Sequence, residues 1–185
     1  MKHAWWFGRG LAPFLAKELA QPVTVANRPG AGGQVGTTWF LQQSDDGYTL
    51  LVTAATPYLP TNMLITGAKY TLNDFAFVNA QWSDYTFIAV HKDKPYKTLK
   101  ELIDAVKANP GKLSTGFTFG SAGQISTMML LEALGLPANA VRSVTYDGGG
   151  PVRTALAGGH IDFSVVQGEG SETIRDFIRP LAVIR

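Results

Sequence analysis

Three times in this chain a short apolar run leads into a cluster of glycines and then into a helix-like pattern: at Gly30–Thr37, Gly120–Gln124 and Asp147–Pro151. Each such turn presents the unpaired N–H groups of a helix start and the positive end of the helix dipole, and glycine lets a ligand come close to the backbone. In α/β folds, turns of this kind gather at the carboxyl ends of parallel strands, where ligands bind. Glycine accounts for 20 of the 185 residues, while charged residues make up 16%, against roughly 25% in an average globular chain. Such a chain is expected to hold an anion with backbone groups more than with charged side chains. For any single loop, a turn that only reverses the chain remains the alternative.

Apolar residues make up 45% and aromatics 11%, enough for a packed core and incompatible with a disordered tail. Sixteen basic against 14 acidic residues leave a net charge of +2, too little for a nucleic-acid footprint. No stretch approaches the ~18 consecutive apolar residues of a membrane span, so no direct membrane insertion is expected. The chain has no cysteine, which excludes disulfides, thiolate chemistry and Cys-ligated zinc. His3, His91 and His160 are scattered without metal-ligand spacing, and no metal or cofactor is expected. The start, MKHAWWFGRGLAPFLAKELA, is interrupted by Arg9 and lacks a clean cleavage site, so it is taken as a helix from about Leu11 and not as a convincing signal peptide.

Strands are expected at Val23–Asn27, Tyr48–Ala54 (buried), Phe75–Ala80, Tyr85–Lys92, Leu113–Phe119, Val141–Tyr146, His160–Val166 and Pro180–Arg185. Helices are expected after the first glycine loop, after the Thr98/Glu101 capping box, from Ile125 to Leu134, and after Asp147–Pro151, with Thr56–Asn73 irregular. The alternation predicts an α/β fold with mostly parallel sheets, a first lobe over 1–84 and a second over 85–185.

The catalytic inventory is thin, and no enzyme is predicted. Ser121 lies in G-S-A-G, not in the G-x-S-x-G elbow, and N-capping explains it better, with Gln124 closing the cap reciprocally. Asp162 is either a buried, hydrogen-bonded carboxylate shaping a cleft or a residue at a strand end. Arg28 fits a structural tie between loop and lobe better than direct ligand pairing, and Trp5, Trp6, Trp39 and Trp82 fit packing. The loop Gly30–Gly36 also admits an α/β nucleotide- or phosphate-binding enzyme domain, although its spacing departs from G-x-G-x-x-G and no acid follows the next strand.

Asn27-Arg28-Pro29-Gly30-Ala31-Gly32-Gly33, Asp46-Gly47-Tyr48-Thr49-Leu50-Leu51 and Asp74-Phe75 resemble the Bug family, the periplasmic substrate-binding receptors of tripartite tricarboxylate transporters. The resemblance continues through Lys97–Leu102, Gly120–Gly123, Tyr146 with Gly148–Pro151, and Gly158–Phe163. It implies a two-lobe periplasmic-binding-protein-like fold (Venus-flytrap, type II) in the periplasm. That fold would close on a small carboxylate and pass it to membrane permease subunits. Carried over by position, Gly32, Gly33, Gly36, Thr37, Ala55 and Thr56 would serve the first lobe; Ser121, Ala122, Gly123, Tyr146 and Gly149 would serve the second. The family's first strand and Pro/Gly-rich loop would precede Leu11, and its chain runs on past Arg185, so the resemblance implies a first lobe that is incomplete here. The histidine of many relatives is absent near Ser126–Met128, and Asp147 stands where a basic residue is common, which bears on how anionic the ligand can be.

Overall fold

A strand persists only where a neighbour completes its hydrogen bonds, and that condition separates the expected strands into two groups. The computed structural model describes residues 2–64, 67–80 and 84–184. The chain divides into two units, Met1–Val78 and Asn79–Arg185, a division ahead of the 84/85 boundary expected from sequence.

Where unit 1 is regular it is helical. Helix α1 (Lys2–Leu19) starts well before Leu11 and runs through Pro13, which forfeits one backbone bond because it has no N–H. Its end closes in a Schellman arrangement: Gln21 N–H donates to the Ala16 carbonyl at 3.2 Å and Ala20 N–H to the Lys17 carbonyl at 3.4 Å. That closure puts Ala20 at φ 50°, a left-handed conformation that glycine usually fills. Helices α2 (Gln34–Phe40) and α3 (Ala55–Leu64) follow. Helix α3 occupies part of the stretch expected to be irregular; Pro57 falls in its first turn, where a missing N–H costs no bond, and Leu59, Thr61 and Asn62 are buried.

The expected strands Val23–Asn27, Tyr48–Ala54 and Phe75–Ala80 form no ladder among the described residues. The correction is largest at Tyr48–Ala54, where Tyr48 is 89% exposed. Apolar patterning shows that a segment could sit in a sheet, but it does not supply the neighbour. Phe75 is held instead by rings, stacked on Phe40 at 6.3 Å and edge-on to Tyr70 at 5.6 Å.

Unit 2 holds β1 (Thr86–His91), α4 (Leu99–Ala108), β2 (Ser114–Phe117), α5 (Ala122–Ala133), β3 (Arg142–Thr145), α6 (Gly149–Ala157), β4 (Phe163–Gln167) and β5 (Ile178–Ile184). The five strands form one sheet in the order β3-β2-β4-β1-β5. Strand β2 is parallel to β3 and β4, while β1 is antiparallel to β4 and β5. The sheet is therefore mixed: β1 runs against its neighbours, and the other strands share one direction. Successive residues of β1 alternate between faces. Ile88 and Val90 join Leu102 and Val106 of α4 and Leu131 of α5; Phe87 and Ala89 join Ala155 and Leu156 of α6.

The expected helix signals act locally. Glu101 N–H donates to Thr98 Oγ1 at 3.2 Å, and the Glu101 carboxylate reaches back to the Lys97 N–H at 2.6 Å. The packing expected of Trp82, and of the Trp5 and Trp6 side chains, lies outside the described residues.

Asp162 stands just before β4 and fastens the amino end of the sheet. Its carboxylate accepts from Ser114 N–H at 2.7 Å, Ser114 Oγ at 2.8 Å and Lys94 Nζ at 2.5 Å. Burial raises the carboxyl pKa, but the hydrogen bonds from Lys94 and Ser114 outweigh it, and the net direction is down. A carboxyl depressed on folding stabilises the protein above its unfolded value, and that stability drains as pH falls through the folded value.

Two outcomes follow for stability. Asp162→Asn should cost about 2 kcal/mol at neutral pH, as expected for lost hydrogen bonds to a charged group. It should also flatten the decline in stability below about pH 4, the unfolded carboxylate range. Urea titrations at pH 7 and pH 3 read both effects, and an unchanged acid slope would remove this role from Asp162. Ala20→Gly should stabilise the chain by about 1 kcal/mol by relieving the left-handed alanine; a lower urea midpoint would contradict that.

Candidate functional site

The parallel ladder sends β2, β3 and β4 toward the same edge, so the turns that follow them share one end of the sheet. Helix α5 leaves from β2 and α6 from β3. These are two of the three glycine loops singled out in the sequence. A third turn at this edge, Gly168-Glu169-Gly170, follows β4 and was not singled out. It is anchored to the start of β1: Gly168 N–H donates to the Tyr85 carbonyl at 2.9 Å and Glu169 N–H to Asp84 Oδ2 at 3.3 Å. Its Q-G-E-G sequence after an apolar strand was the available signal.

At the start of α5, Ser121 caps as expected. Gln124 N–H donates to Ser121 Oγ at 3.3 Å. The Gln124 side chain returns to the Gly120 N–H at 2.7 Å, one residue before the Ser121 N–H that a standard box would use. Ser121 N–H donates to the Thr118 carbonyl at 3.1 Å. This leaves Ala122 and Gly123 as the first-turn N–H groups with no acceptor among the described residues. The helix can start here because residue 123 is glycine: a Cβ there would lie 2.7 Å from the Val165 carbonyl oxygen of β4.

At the start of α6, Gly148 is the cap residue at φ 106° and Pro151 has no N–H to offer. Gly149 and Gly150 carry N–H groups with no acceptor among the described residues. Tyr146 lies back over the sheet, its ring filling the space that a Cβ on Gly116 would need. Its N–H donates to the Phe117 carbonyl at 3.0 Å.

The remaining candidates lie in unit 1. Gly30, Ala31, Gly32 and Gly33 all have positive φ, at 134°, 44°, 60° and 94°. Ala31 is strained there by about 1–2 kcal/mol, and strain of that kind recurs at functional sites. Thr37 is buried and donates from Oγ1 to the Gly33 carbonyl at 3.1 Å. Gly36 is required by packing, since a Cβ there would stand 2.8 Å from the Arg28 carbonyl oxygen. Arg28 does tie the loop to its surroundings, with its guanidinium 4.5 Å over the Trp39 ring. Ala55 and Thr56 open α3, and their side chains lie outside the described residues. Asn62, which sequence reasoning missed, is buried on α3 and donates to the Gly32 carbonyl at 3.4 Å. An asparagine inside a helix pattern carries no sign of so distant a partner.

Asp162 does not belong with these loops. Its carboxylate ties the amino ends of β2 and β4, opposite the edge from which α5 and α6 start. Of its two readings, the strand-end tie is the one observed.

Known proteins resemble this chain. A protein described as the UPF0065 protein in the gbd 5′ region, from Cupriavidus necator, is 37% identical over 157 residues, covering 83% of this chain and 46% of its own length. BugT of Bordetella pertussis is 31% identical over 154 residues, with 82% and 46% covered. Among solved structures, the periplasmic binding protein BugD superposes with a TM-score of 0.69 at 26% identity, covering 96% of this chain and 59% of that one. MatC from Rhodopseudomonas palustris, solved with bound malate, superposes at 0.79 with 24% identity, covering 96% and 61%. These neighbours place the fold among periplasmic binding proteins. The chain spans about half the length of the curated relatives it matches. The family described as tripartite tricarboxylate transporter family receptor (TctC) matches residues 7–173, and the chain belongs to that family.

Proposed function

We propose that this chain acts as a solute receptor that captures a small carboxylate. The observation that carries the reading is the pair of free N–H groups on Ala122 and Gly123, at the carboxyl edge of a parallel ladder. A carboxylate oxygen satisfies such donors and lies favourably at the positive end of the helix dipole. The free N–H groups of Gly149 and Gly150 add a second helix start at the same edge. Binding needs no covalent step, in keeping with the absence of a catalytic constellation in the sequence.

The finer reading draws on the family. Gly32, Gly33, Gly36, Thr37, Ala55 and Thr56 form the contribution of a first lobe (1–84); Ser121, Ala122, Gly123, Tyr146 and Gly149 form that of a second (85–185). The receptor works in the periplasm and passes its ligand to the permease subunits of a tripartite tricarboxylate-type transporter. Malate and adipate, each bound to a neighbour of this fold, are the natural first probes.

Thermal unfolding of the chain with malate, adipate and a wider carboxylate panel tests this. A true ligand stabilises by about 2.7 kcal/mol at one hundred times its dissociation constant. A folded chain that no carboxylate shifts, or one that nucleotides alone shift, would sink the proposal. Gly123→Ala should weaken carboxylate binding at least tenfold while far-UV circular dichroism stays near wild type, because the start of α5 must move off β4. Unchanged affinity would take the α5 start out of the site.

A further inference from the structure

Because β1 runs against β4, its first residues lie at the edge where β2, β3 and β4 end: Thr86 pairs with Gln167 of β4 and with Ile184 of β5. Unit 2 begins at Asn79, so the chain arriving from unit 1 joins the sheet at the candidate edge, beside the turn after β4.

What fastens it there is a side chain. The Asp84 carboxylate accepts the Tyr85 N–H on Oδ1 at 2.8 Å and the Glu169 N–H on Oδ2 at 3.3 Å. Gly168 N–H donates to the Tyr85 carbonyl at 2.9 Å. Only glycine allows this approach: a Cβ on residue 168 would lie 2.7 Å from Tyr85 Cζ and 2.8 Å from Asp84 Oδ1. The far side of the turn is held separately. The Arg153 guanidinium fills the space beside Gly170, and Ser171 Oγ donates to the Gly168 carbonyl at 2.6 Å.

This segment differs from the strand it leads into. Phe87, Ile88, Ala89 and Val90 are buried, and β1 is paired on both sides. Asp84 is only half-buried and Tyr85 is 52% exposed. Few buried contacts and a handful of hydrogen bonds mark a stretch that opens locally while the rest of the unit stays folded.

We propose that residues 84–85 and the Gly168–Gly170 turn form a latch, shut by the Asp84 carboxylate, which fixes where the connection between the two units joins the candidate edge. The latch opens and closes as one piece while the sheet stays intact. It goes beyond the receptor reading and does not depend on a ligand.

Native-state amide hydrogen exchange of the 185-residue chain tests it. In wild type the Tyr85, Gly168 and Glu169 amides should open together, equally protected and well below Ile88. Asp84→Ala removes the acceptor of Tyr85 and Glu169, whose amides should exchange about tenfold faster or more. The decisive amide is Gly168, whose acceptor is the Tyr85 carbonyl and not the carboxylate: it should speed up with the other two, while Ile88 stays within about twofold of wild type. Asp84→Asn, which keeps one carbonyl oxygen as acceptor, should restore part of the protection. A Gly168 amide unmoved in Asp84→Ala, or Ile88 accelerated equally, would overturn the latch. Unequal protection of the three amides in wild type would do the same, and that measurement stands even if the alanine variant does not fold. None of these outcomes bears on carboxylate binding, so the receptor reading stands or falls on its own titration.

Discussion

Parallel strands have two unlike ends, and the ladder of β2 with β3 and β4 makes that difference the organising constraint of unit 2. Every connection leaving these strands starts from the same edge. Helix α5, helix α6 and the Gly168–Gly170 turn all start at that edge, although they are separated in sequence. Unpaired first-turn N–H groups are a cost at any single helix end. At an edge shared by several helix starts they become a set of donors, and an anion is the ligand that satisfies them best.

The opposite end is built with other chemistry. Asp162, Ser114 and Lys94 join β4, β2 and the segment after β1 through charge-assisted hydrogen bonds. The Arg179 guanidinium on β5 adds bonds to the carbonyls of Lys92, Lys94 and Tyr96. Three charged side chains thus hold the amino end, while the candidate binding edge is mostly backbone. On the proposed reading, this division lets a chain with 16% charged residues take an anion.

Unit 1 shows the limit of local patterning. Tyr48, Leu50, Phe77 and Val78 stay exposed on segments that alternate as strands do, because no ladder partner reaches them among the described residues. Among the described residues, only Ala12, Leu59 and Tyr70 of the apolar core belong to this unit. Side-chain alternation is a property of the segment, whereas a strand is a property of a pair. The rings of Phe40, Tyr70, Phe75 and Phe77 pack against one another in this unit.

Much of unit 2 was legible beforehand. The Thr98/Glu101 signal, the Ser121/Gln124 cap and the Asn109-Pro110-Gly111 stop each depend on contacts within a few residues, so their chemistry is written in the order of the chain. The glycine-rich helix starts were visible for the same reason. Strand direction was not, because β1 inserts against β4 and β5 through pairings that join distant residues. Nor was the place of Asp162, the reach of Asn62 to Gly32, or the guanidinium of Arg153 against Gly170. By itself the sequence determined which segments could be helix starts and which donors they would leave free, since those are local backbone effects. Only the tertiary structure decided which starts share an edge, because long-range pairing, and not periodicity, sets distances across a sheet.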